Sequence, residues 1–238
     1  MSPEQHLQTL REECARFAAA AAAARTRHGW RSHVPGCPEW DLADLVWHLA
    51  EVQHFWGWLV RTRATSPAGY PRPVRPADDD LLDVVVEHAH ELDDALIRAE
   101  PTDRVWTWAP QQDVGFVLRR QAQEVTVHRV DAEQVLGEVG PIRADVGLDG
   151  LDEWLEVLVP GALPGGPPSG AEPVVFHAVD ADAERTLFPG TADLPVATLT
   201  GSAGDLLLVA WRRIPLDSVT VDGDADRAAA LLSTVTLG

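Results

Sequence analysis

Lysine and asparagine are absent from this chain of 238 residues, and its nineteen basic residues are all arginine, against thirty-seven acids. The formal charge of −18 excludes nucleic acid or an anionic membrane as the main partner, because both repel an acidic protein. Lysine and asparagine have A-rich codons, so their loss points to a very GC-rich genome. Cysteine occurs only at Cys14 and Cys37, too few for a disulfide framework. No apolar run approaches the ~20 residues of a membrane span. The N-terminus has no basic region followed by an apolar one, so a cytoplasmic protein is expected. There is no Gly-rich phosphate loop, no serine nucleophile elbow and no CxxC pair. Apolar material is plentiful: 45% of residues are hydrophobic and nine are tryptophan, enough for a core without staples.

Up to about residue 165 the pattern is helical. A first helix is expected from Pro3 to Arg27, with Ser2 able to cap it ahead of Pro3, and the Ala-rich stretch Ala18–Ala24 as its interior. A second starts with Asp41 as N-cap and Asp44 three residues on, and runs to about Arg63. Pro67 to Pro76 reads as a loop, Asp78 to Ala99 as a third helix and Asp113 to Glu138 as a fourth. Four helices with short or Pro-rich connections predict a bundle, whose interior is a usual place for metal sites. A further helical stretch, Leu148 to Leu158, leads into a Pro/Gly segment, residues 160–168, read as a linker. Beyond it the period changes to two. Pro173–Val179 and Arg185–Phe188 suit a hairpin, Pro195–Thr200 and Val219–Val221 further strands, and Ser202–Trp211 and Asp224–Val235 helices. The expected fold is thus two domains, an α bundle over 1–165 and a small α+β layer domain over 166–238.

Within that frame one constellation carries chemistry. Glu124 and His128 are four apart, one turn along the same helix face, beside the apolar residues Val125, Ala132 and Val135. His48 sits in a similar run of Leu42, Leu45, Val46, Leu49 and Val52. Polar groups on an apolar face are costly unless satisfied. Two imidazoles and a carboxylate form a ligand set that leaves a fourth zinc position open. An (i, i+4) Glu–His pair is also a common helix-surface pair, so the spacing by itself decides nothing.

The neighbouring residues resemble a known family. Pro38-Glu39-Trp40, Asp44-Leu45 and His48-Leu49 are similar to the first signature of the mycothiol-dependent maleylpyruvate isomerases. Arg120, Glu124, His128-Arg129 and Asp131-Ala132 are similar to the second. A third likeness runs from Gly201-Ser202-Ala203-Gly204-Asp205 through Trp211-Arg212-Arg213 to Val221-Asp222-Gly223-Asp224. The resemblance implies a DinB-like N-terminal bundle, a sterol-carrier-protein-like C-terminal domain, and His48, Glu124 and His128 as ligands of a divalent metal, most readily Zn2+. It implies mycothiol as thiol cosubstrate, a small electrophilic substrate, and cis–trans isomerisation of a maleylpyruvate-like keto acid or S-transfer as the outcome. A catalytic arginine of the C-terminal domain falls on Arg213 by position in the motif, or on its neighbour Arg212; the bland alternative is a pair of solvated residues at a helix end. The GC-rich signature fits actinobacteria, which make mycothiol. The rival class is a noncatalytic metal-binding bundle that kept the fold; a third reading has the metal activate water for hydrolysis.

Other polar residues are expected to play lesser parts. His54, about 120° around the helix from His48, is a substrate or supporting contact at most, and Glu51 a stand-in ligand or proton acceptor. His88 and His90 are expected to be solvated. Trp56, Trp58, Trp106 and Trp108 are expected to fill the core or line a cleft. Cys37 is read as structural. The oligomeric state is not legible.

Overall fold

Helix capping sets the frame of the N-terminal half. The computed structural model describes residues 1–235 and divides into two compact units, Met1–Gly140 and Pro141 onward. In the first, α1 (Pro3–His28) starts at Ser2, whose hydroxyl accepts from the Gln5 amide while the Gln5 side chain accepts from the Ser2 amide, a reciprocal pair. Asp41 and Asp44 make the same exchange at the start of α2 (Leu42–Thr62). A 3-10 turn, Asp78–Asp80, precedes α3 (Leu81–Ile97). Asp113 caps α4 (Val114–Leu136), which ends at Gly137 with φ +77°, a left-handed turn that glycine enters without steric cost. The helices pack as α1 on α4 and α2 on α3 around buried Leu10, Phe17, Leu45, Leu49, Leu92 and Val125. This is the expected bundle. Among the described residues no helix is long and apolar enough to cross a membrane.

The second unit begins earlier than composition suggests. Its helix α5 (Ala144–Glu153) runs on through a π-helical turn, Trp154–Leu158, into α6 (Val159–Ala162). Strands β1 (Val174–Ala178), β2 (Ala183–Leu187), β3 (Ala197–Gly201) and β4 (Thr220–Gly223) form one sheet in the order β2-β1-β3-β4. The hairpin β1–β2 is antiparallel, β3 joins β1 in parallel, and β4 joins β3 antiparallel. Helices α7 (Ala203–Ala210) and α8 (Ala225–Ser233) complete it. Along β1 the alternation is plain: Val174, Phe176 and Ala178 point into the core while Val175 and His177 do not. The two-domain α+β class holds.

The expected boundary near 165 does not. Leu151 and Trp154 belong to the same core as Phe176, Leu199, Leu206 and Leu231, so residues 141–165 fold with the sheet and not with the bundle. Composition misleads here because Pro and Gly mark a turn of the chain, whereas the partner of an apolar helix face decides its domain. Gly147 makes the pairing close: a Cβ there would lie 2.6 Å from the Ala203 carbonyl carbon and the Gly204 nitrogen, both backbone atoms of α7. Gly147→Ala should therefore destabilise the second unit by about 2–3 kcal/mol through overpacking. Gly161→Ala, where a Cβ meets nothing within 4 Å, should be near neutral. Equilibrium denaturation of the two variants checks this; equal midpoints would contradict it.

Candidate metal centre

Two helices of the first unit bring the candidate ligands together. The Asp41 cap fixes where α2 starts, so His48 falls in its second turn beside buried Leu45 and Leu49. In α4 the (i, i+4) spacing carries Glu124 and His128 to the same level. Glu124 Oε1 lies 3.2 Å from His48 Nε2 and 3.3 Å from His128 Nε2. The two rings meet edge-on, 4.9 Å between centroids. The ligand atoms of His48, Glu124 and His128 all fall within 4.8 Å of one another.

These distances test the fit of a metal. Around tetrahedral zinc, with bonds of about 2.0–2.1 Å, neighbouring ligand atoms stand about 3.3 Å apart. The two measured edges have that length, and both imidazoles aim Nε2 at one carboxylate oxygen. The donor set suits a divalent ion and stops one protein ligand short of four. The three candidate ligands named by the sequence are thus brought together.

The surroundings explain how they are held. Burial pushes the Glu124 carboxyl up, but the hydrogen bonds from His128 and His48, with the charges of His128 and Arg120, outweigh it and hold the group well below the usual carboxylate range. Arg120, itself buried, reaches Glu124 Oε2 at 3.3 Å and leaves Oε1 to the histidines. Burial lowers the His128 imidazolium, yet hydrogen bonds to Asp131 and Glu124 and their charges raise it to about 9 in the metal-free protein. His128 Nδ1 lies 2.8 Å from Oδ2 of the fully buried Asp131, and the Cys37 thiol donates to that same oxygen at 3.6 Å. Cys37, His128 and Asp131 form the other ligand-type cluster among the described residues. The Trp40 ring lies 4.6 Å from the His48 ring and 6.0 Å from the His128 ring.

Trp40, Arg120 and Asp131 lie within the family-like signatures, and the structure puts all three against the cluster. The signal for two of them was spacing: Arg120 precedes Glu124 by four and Asp131 follows His128 by three, both helix-neighbour positions. The residues given lesser parts lie outside the cluster. Glu51 is ion-paired with Arg72 at 2.8 Å and takes no part in the cluster. His54 Nδ1 faces the Tyr70 hydroxyl at 2.8 Å. His88 is not solvated: it is buried, with Nδ1 donating to the Ala50 carbonyl at 2.9 Å, because its face of α3 packs on α2. His90 is exposed as expected. Trp56 is buried, while Trp108 is 46% exposed, its ring edge-on to Phe116. Arg212 and Arg213 follow α7 in the second unit. There Arg212 Nη1 lies 3.5 Å from the Ser233 carbonyl, and the Arg213 guanidinium stands 5.7 Å from the Trp211 ring centroid.

Comparisons with known proteins bear on the family and the fold. The family model described as the mycothiol maleylpyruvate isomerase N-terminal domain matches residues 10–133, and the MDMPI C-terminal domain matches residues 145–230. Two crystal structures of the mycothiol-dependent maleylpyruvate isomerase are similar in fold. One, a histidine-to-alanine variant, has a TM-score of 0.70 at 16% identity; the other scores 0.67 at 14%. Each alignment covers 94% of this chain and 95% of the other. No curated protein matches the sequence. At such identities the superpositions speak for the fold, while the family models, the first of which spans more than half the chain, speak for descent. Their junction between 133 and 145 also brackets the division of the structure at Gly140. On the strength of the two family models the chain belongs to the mycothiol-dependent maleylpyruvate isomerase family.

Proposed function

We propose that this protein is an enzyme that uses mycothiol as cosubstrate and adds its thiolate to a small electrophile, with His48, Glu124 and His128 holding a divalent ion, best zinc. The observation that carries the reading is the convergence of two imidazole nitrogens on one Glu124 oxygen at zinc-like spacing. A bound ion would supply a Lewis acid that lowers the pKa of a coordinating thiol. The chain does the rest. Glu124 stays anionic and offsets the ion's charge, and Arg120 pins its second oxygen. Trp40 shields the two imidazoles from one side with an apolar ring.

With maleylpyruvate, a cis-enedioic keto acid, as acceptor, the thiol gives up its proton to solvent and its thiolate adds to the alkene carbon β to the ketone. A sulfur–carbon bond forms, the carbon–carbon double bond becomes single, and its electron pair moves onto the keto oxygen as an enolate. After rotation about the former double bond, collapse of the enolate reverses the addition. The thiolate is expelled, the double bond is restored as trans, and the thiol is regenerated. An acceptor with a leaving group would give S-transfer by the same addition. The reaction belongs in the cytoplasm, where thiols are kept reduced.

A dicarboxylate acceptor needs a cation, and a guanidinium binds carboxylate with two parallel hydrogen bonds. We assign this role to Arg213. Arg213→Ala should leave metal content unchanged and lower kcat by about 100-fold; unchanged turnover would remove the residue from the account. The direct test of the site is cobalt substitution. Adding mycothiol should produce a sulfur-to-metal charge-transfer band. Turnover without such a band would favour a water-activating hydrolase.

A further inference from the structure

We infer that Asp131 is a positioning residue that fixes His128 in the tautomer with its proton on Nδ1 and its Nε2 lone pair turned to the ligand cluster. The inference rests on the metal reading above and adds a role that the ligand set does not contain. An ionised carboxylate only accepts hydrogen bonds, so at 2.8 Å the shared proton belongs to Nδ1. Asp131 has no solvent exposure, and its Oδ2 takes a second donor, the Cys37 thiol. That second contact holds the carboxylate still from the loop ahead of α2, the helix that carries His48. The (i, i+3) spacing on α4 keeps carboxylate and imidazole on one face, so Asp131 orients the ring without reaching the ligand cluster itself. A ligating imidazole backed by a carboxylate binds metal more tightly, because its ring is oriented in advance and is more basic.

The test compares wild type with Asp131→Asn, which keeps shape and removes charge, and Asp131→Glu, which keeps charge. Zinc affinity, measured by chelator competition, should fall by about 10–100-fold in Asp131→Asn and recover in part in Asp131→Glu. At saturating cobalt the Asp131→Asn spectrum should still differ from wild type. A purely structural role would lower the melting temperature of the metal-free protein and leave the saturated spectrum unchanged. Nitrogen NMR of histidine-labelled, zinc-loaded wild type gives an answer that needs no variant: Nδ1 of His128 should carry the proton and Nε2 the metal. Wild-type affinity and spectrum in Asp131→Asn, or metal on Nδ1, would overturn the inference while leaving the metal site standing. A wild type that takes up no zinc would overturn both.

Discussion

His128→Ala protein should emerge from dialysis without bound metal and without thiol-dependent turnover, where the wild type keeps about one divalent ion per chain. Of the three ligands His128 has the most to lose. Its side chain is 9% exposed against 32% for His48, and it alone is held at both ring nitrogens. Glu124→Ala should come close in effect, since it removes the anion on which both imidazoles converge. His48→Ala should retain the most residual metal, because a half-exposed position lets water replace the ring. His90, exposed on α3, is the proper control, and His90→Ala should bind as wild type. Elemental analysis of the four variants decides the matter: full metal in all three ligand variants would sink the assignment.

The same site gives metal uptake a pH dependence. In the metal-free protein the His128 pKa is raised to about 9, so an incoming ion must displace a proton from Nε2 at neutral pH. Apparent affinity should therefore rise with pH up to about 9 and level off beyond it. The sign for metal-free stability is opposite. A folded-state pKa above the unfolded value contributes stability that is fully present below about 6.5 and is lost as pH rises through about 9. Proton release on zinc addition, followed in weakly buffered solution, checks the first; thermal melts of the metal-free protein across that window check the second.

What the sequence made legible was local. Ser2 and Asp41 announced two helix starts because capping is settled within four residues. Glu124 and His128 declared themselves by one turn of spacing, and the family resemblance linked them to His48 across the bundle. What stayed hidden depended on a partner far along the chain. His88 reads as solvated on an acidic helix, but it packs on α2, where the Ala50 carbonyl accepts from its Nδ1. Helix α5 looked like the tail of the bundle until Gly147 met Ala203 and Gly204. Asp131 shares the face of His128 by spacing, but the sequence does not show how deeply that face is buried. The Cys37 loop and the buried face of α4 turn it inward.

Arg129, next to His128, should be the costliest single position in the first unit for stability. Its side chain has no exposure and ties α4 to α1 and to the end of the unit. Nε donates to Glu13 at 2.7 Å, and Nη1 donates to Glu133 at 2.6 Å and to the Gly140 carbonyl at 2.9 Å. Arg16 joins the same two carboxylates from α1, at 3.0 Å from Glu13 and 3.4 Å from Glu133, but is itself 38% exposed and so better screened. Arg129→Met fills much the same volume and deletes the charge, which leaves two nearly buried carboxylates facing each other with only Arg16 between them. Breaking a buried pair in this way costs about 3–5 kcal/mol, a large part of the ~5–15 kcal/mol that holds a domain together. Adding Glu13→Gln should return part of the loss, since the cost lies in uncompensated charge and not in packing. Denaturant midpoints for the single and double variants carry the test. A double variant no more stable than Arg129→Met would mean that the arginine acts through its contacts with Glu133 and Gly140 alone, and that Glu13 contributes nothing to the joint between α1 and α4.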